Sequence, residues 1–180
     1  AYGYASVAMG FQTTATAPRS VAMGSDTMAT AEESVAMGSD TLASGVNSLA
    51  MGNDTDASGE NSVSMGYQTT SSGFASVSMG GYTNANGIGS VAMGTSTITD
   101  GSYSLAMGNS TSAFGENSVA FGNNTISSSS NMVAIGQYND VSTNSLFVIG
   151  NGDSTTRSDA LVVDNNGNLS LNGHSQLLDV

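Results

Sequence analysis

Apolar and polar positions alternate through a five-residue phrase, Ser34-Val35-Ala36-Met37-Gly38, that returns along most of the chain at one fixed interval of fourteen residues. The residue before its glycine is Met9, Met23, Met37, Met51, Met65, Met79, Met93, Met107, Phe121, Ile135 and Ile149, with no insertion between occurrences. Two positions earlier stand Val7, Val21, Val35, Leu49, Val63, Val77, Val91, Leu105, Val119 and Val133. Period-two alternation predicts a strand, with Val and Met on one face and Ser and Ala on the other. Both faces are uniform from repeat to repeat, so both are expected to be covered. A strict short repeat of this kind predicts a solenoid of stacked coils.

A second, shorter strand is expected after each phrase. Three residues past the glycine comes Thr13, Thr27, Thr41, Thr55 and so on to Thr125, and two further on a small residue, usually Ala as in Ala15, Ala29, Ala43 and Ala57. The column between them changes freely, through Thr14, Met28, Leu42, Asp56, Thr70, Asn84, Ile98 and Ser112. Small residues are therefore expected inward and the variable column outward. Glycine recurs at Gly10, Gly24 and Gly38, and again at Gly45, Gly59 and Gly73. Glycine at such places predicts corners with positive φ. Each coil then reads as strand, corner, strand, corner, and eleven coils at about 4.8 Å each would stack to roughly 50 Å.

The Val/Met face is continuous and carries no charge. Left bare it would exceed the apolar patches that monomers expose. It is therefore expected to be the surface of self-association, about an axis parallel to the stack. The interface residues are Val7 and Met9, Val21 and Met23, Val35 and Met37, Leu49 and Met51, Val63 and Met65, Val77 and Met79, Val91 and Met93, Leu105 and Met107, Val119 and Phe121, and Val133 and Ile135.

At this point the residues carry a resemblance. The phrase, the period, the corner glycines and the Asn-Ser pairs Asn47-Ser48, Asn61-Ser62 and Asn117-Ser118 resemble the head repeats of trimeric autotransporter adhesins of the YadA type, over about residues 1–150. The resemblance implies an all-β, left-handed parallel β-roll (a β-solenoid of fourteen-residue coils), a homotrimer, and attachment of a bacterium to host matrix, another cell or a substratum. That family's phrase more often ends Ile-Gly where this chain mostly has Met-Gly. The implied location is extracellular, at the bacterial cell surface.

After Gly150 the period stops, and 151–180 is expected to be a connector. Ala160–Asp164 and Asn168–Leu171 predict a hairpin through Asn165-Asn166-Gly167. The segment resembles connectors of phage tail-fibre-like and surface-fibre proteins, so a phage or phage-derived tail fibre is the alternative reading. The chain opens in mid-repeat, as expected of part of a longer protein.

Composition narrows the chemistry. The chain of 180 residues has no Lys, two Arg, fourteen acids and a net charge of −12. Such a surface repels nucleic acid and anionic lipid, and no run of about eighteen apolar residues is present to span a bilayer. There is no Cys, and the one His, His174, lies in the tail without a Gly-x-Ser-x-Gly elbow or a phosphate loop. No catalytic residue, cofactor or metal site is expected. Asp26, Asp40 and Asp54 share one column, where calcium bridging is weighed against plain surface charge and the latter preferred. Asp164-Asn165-Asn166-Gly167-Asn168 lacks the closing Glu of a calcium loop. Arg157 is expected to pair with Asp159 and Asp164. The Thr column raises the lesser possibility of an ice-binding ladder. Ligand positions are sought among Met28, Leu42, Asp56, Tyr67, Phe74, Tyr82 and Tyr103.

Overall fold

The structure is a computed structural model that describes residues 1–141 and 144–171. It is all-β among those residues. The phrase forms a long strand in every coil, from Val7–Phe11 and Val21–Ser25 through Val133–Gln137 to Ser145–Asn151. These eleven strands pair in parallel, each fourteen residues from the next, so that Val21 faces Val35 and Met23 faces Met37. The second strand of each coil is only two residues long, as in Leu42–Ala43, and nine of these form a second parallel sheet. The chain is a β-solenoid of fourteen-residue coils.

The interior is thin because the side chains entering it are small. Ser34 and Ala36 enter from the long strand, Thr41 and Ala43 from the short one, and all four are buried. Serine also closes a corner: the Ser34 hydroxyl donates to the Ala31 carbonyl at 2.6 Å, and Ser104 does the same to Gly101. In coils with alanine beneath them, the hydroxyls of Thr27, Thr41 and Thr97 have no partner. Ser64 and Ser78 replace that alanine, and their hydroxyls sit 2.7 and 2.6 Å from those of Thr69 and Thr83.

The glycines act differently from the expectation. Gly24 and Gly38 do have positive φ, 129° and 130°, but they lie inside the long strand. The corner follows two residues later, at Asp26 and Asp40, which occupy the left-handed region at φ 55° and 53°. At Gly45 no positive φ is needed; a Cβ there would stand 2.0 Å from the Gly59 carbonyl oxygen, so close stacking excludes it. The left-handed residue of that corner is Asn47, φ 57°.

The C-terminal end closes the stack. Asp159–Asp164 and Leu169–Leu171 form the expected hairpin, with Val163 opposite Leu169 and Gly167 at φ 82°. The Asp164 carboxylate accepts the amides of Asn166 and Asn168, at 2.9 and 2.8 Å, which ties the turn. The hairpin does not stand apart: Asp159–Asp164 pairs antiparallel with Ser145–Asn151 and extends the long-strand sheet. Interior residues grow larger there, as Met132 and Val148 take the serine and alanine columns and pack with Ala134 and Val162.

Candidate association and binding surface

The Val/Leu–Met pairs point away from the interior. Between the first and last coils they are half-buried on the single chain, apart from the exposed Phe121, while the alanine or serine between each pair is fully buried. Register holds from Met9 opposite Met23 to Phe121 opposite Ile135 and Ile135 opposite Ile149, so the face is a two-column ladder. It turns more open at the first coil, where Met9 is 57% exposed.

The short-strand side is less free than expected. Met28 is exposed at 44%, but Leu42, Asp56 and Thr70 are half-buried between neighbouring coils. Burial holds the Asp56 carboxyl above its ordinary pKa, and one of its oxygens has no partner. Several exposed aromatics gather at or beside the corners, whereas Phe121 stands in the ladder itself. Tyr67 and Tyr82 meet edge to face with ring centres 5.3 Å apart on one corner. Phe74, Ile88 and Tyr103 occupy the other in successive coils, and the Tyr103 ring lies where a side chain on Gly89 would go. Ile88 was absent from the expected binding positions, although it shares the column of Phe74.

The remaining candidate groups have local partners. The Ser25 hydroxyl donates to Asp26, Ser39 to Asp40, and the Gln68 amide to Asp54 at 3.0 Å. Among the described residues no three metal-ligating His, Cys, Asp or Glu side chains gather. From Thr27 onward the Thr column is buried, Thr27, Thr83 and Thr97 completely, so these hydroxyls do not form a surface ladder. His174 lies outside the described residues.

Arg157 does not form the expected ion pair. Its guanidinium donates to the carbonyls of Asn124 and Asn139, at 2.9 and 3.0 Å. Asn139 takes the place of threonine in its coil, and its side chain accepts the Ile126 amide at 2.7 Å and donates to the Ile126 carbonyl at 2.9 Å. Elsewhere a backbone carbonyl of the following coil accepts the equivalent amide, as Thr41 does from Met28. Asn139 therefore caps the last short strand, Ile126–Ser127, and Arg157 ties down the carbonyls of Asn124 and of Asn139 itself beside it. Beside them a cavity of about 240 Å³ is lined by Asp140, Arg157, Asp159 and Val162. Asp159 accepts the Asp140 amide at 2.8 Å, and burial pushes its carboxyl above the ordinary range.

The YadA head domain repeat matches residues 1–27, 29–55, 57–73, 71–97 and 100–125. The chain belongs to the YadA head family. The matched span is the regular solenoid; the coils at Val133–Gln137 and Ser145–Asn151 continue the same stack beyond it. YadA heads are parts of surface-exposed adhesins that form homotrimers in general, and the family is not an enzymatic one. No curated protein matches the chain.

Proposed function

We propose that three copies of this chain pack through their Val/Leu–Met faces about an axis parallel to the stack, and that the resulting extracellular head attaches a bacterium to host matrix, another cell or a substratum. The observation that carries the reading is the position of the apolar ladder. It lies outside the coil, half-exposed and uncharged, while the coil's own interior is already filled by Ser, Ala and Thr. Apolar surface of that extent calls for a partner, and a second and third copy present the same self-complementary columns. Outward residues such as Tyr67, Tyr82, Phe74, Ile88 and Tyr103 are then repeated on three sides. Weak contacts of one chain sum through avidity.

A matched pair of substitutions tests the face. Met65→Asp would place an unpaired carboxylate in the packed surface, at a cost of several kcal/mol per copy, and sedimentation velocity should show single protomers. Met28→Asp makes the same chemical change on the opposite strand and should assemble normally. Equal behaviour of the two variants would show that the faces are wrongly assigned.

A further inference from the structure

Methionine fills the second column of the apolar ladder in eight consecutive coils, from Met9 to Met107, each in register with the next. Phe121 and Ile135 replace it only near the C-terminal end. All eight thioethers stand outside the coil, and the layer beneath them is Ala or Ser, with Ala22, Ala36 and Ala50 fully buried. Folding of the coil and the chemistry of its outer face are therefore separable. The two other methionines occupy different surroundings: Met28 is on the opposite strand and exposed, and Met132 is inside and fully buried.

The chain has no cysteine, so methionine sulfur is its most readily oxidised group. A peroxide transfers one oxygen atom to it. The sulfur lone pair attacks a peroxide oxygen, the O–O bond breaks, and the second oxygen leaves as water after taking up the proton. Sulfur loses two electrons and the peroxide gains two. The product is a polar sulfoxide in place of a flexible apolar side chain.

We propose that the methionine column is an oxidation-sensitive association surface: peroxide-class oxidants convert it to sulfoxide and dissociate the packed copies while each coil stays folded. The inference rests on the reading that copies pack through this face. Symmetry amplifies it, since each modified column appears once per copy. Leucine would fill a similar volume without this chemistry.

The test treats the assembled full chain with graded hydrogen peroxide. Oxidised sites are mapped by peptide mass spectrometry, assembly by sedimentation velocity, and folding by far-ultraviolet circular dichroism. Met28 should convert first without effect and Met132 should be spared. Conversion of the column should track complete loss of the assembled species with the β-signal retained, and methionine sulfoxide reductases should restore assembly. A variant with Met37→Leu, Met51→Leu, Met65→Leu and Met79→Leu should remain assembled at the dose that dissociates the parent. The inference is overturned if the column carries sulfoxide and assembly persists, if the column stays unmodified while Met28 is fully converted, or if the β-signal falls together with assembly. An untreated protein that sediments as a monomer overturns the packing reading itself, and this inference with it.

Discussion

At Gly38 a Cβ would stand 1.9 Å from the carbonyl oxygen of Gly52 in the next coil, on a backbone with φ of 130°. Steric overlap and an unfavourable backbone act together there, so Gly38→Ala should cost more than about 3 kcal/mol. Gly81, by contrast, has nothing within 4 Å of such a Cβ. Gly81→Ser should stay within about 0.5 kcal/mol of the parent, and thermal unfolding of the two variants measures the difference. Asp56 is a second residue-scale case. Its carboxyl pKa is raised by burial, so stability falls as pH rises from the ordinary carboxylate range through the raised value. Asp56→Asn should therefore stabilise at pH 7 by about 1 kcal/mol, or roughly 2–4 °C in Tm, with the gain shrinking below the ordinary carboxylate pKa. The left-handed corner positions were not legible as such. Their column runs Gln12, Asp26, Asp40, Asp54, Gln68, Tyr82 and Ser96, all at φ between 50° and 56°. Asp favours that conformation, but Gln and Tyr carry no such signal. The neighbouring coils impose it instead, through bonds such as the Asp40 amide to the Ser25 carbonyl at 3.0 Å.

The long strand was plain in the sequence because both of its faces are regular. Alternation assigned Ser and Ala to the interior, and Ser34 and Ala36 lie there. The hairpin was equally plain, since Asn165-Asn166-Gly167 sits between two short strand-like runs and Gly167 supplies the positive φ. Its docking onto Ser145–Asn151 was not, because pairing between elements leaves no periodic trace in a segment that occurs once. The cap was misread for a related reason. Nearness in sequence suggested that Arg157 pairs with Asp159, whereas the guanidinium turns to the carbonyls of Asn124 and Asn139, which flank the last short strand and its Asn139 cap. Arg157→Ala should cost about 1.5–3 kcal/mol, the range for hydrogen bonds to charged groups. Hydrogen exchange should localise the loss, with faster exchange at Ile126 and Ser127 and little change around Leu42 and Ala43.

For the molecule as a whole, one period decides almost everything: which residues stack, how the interior is filled, and which face is left apolar. The single chain has its sheets complete along the stack but one apolar face unsatisfied, and the Met65→Asp and Met28→Asp comparison is aimed at that imbalance. Charge plays a different part. With −12 spread over corners and ends, the surface keeps assembled heads apart in solution. The parallel ladders have a mechanical consequence. Strands run across the long axis and their hydrogen bonds lie along it, so a pull on the two ends loads the coils in series rather than together. A single chain would yield coil by coil, each releasing about 45 Å, the difference between roughly 50 Å of extended fourteen-residue chain and about 5 Å of stacked height. In the proposed trimer, side-by-side packing would place further load paths beside the first, and the Val and Met columns would resist peeling.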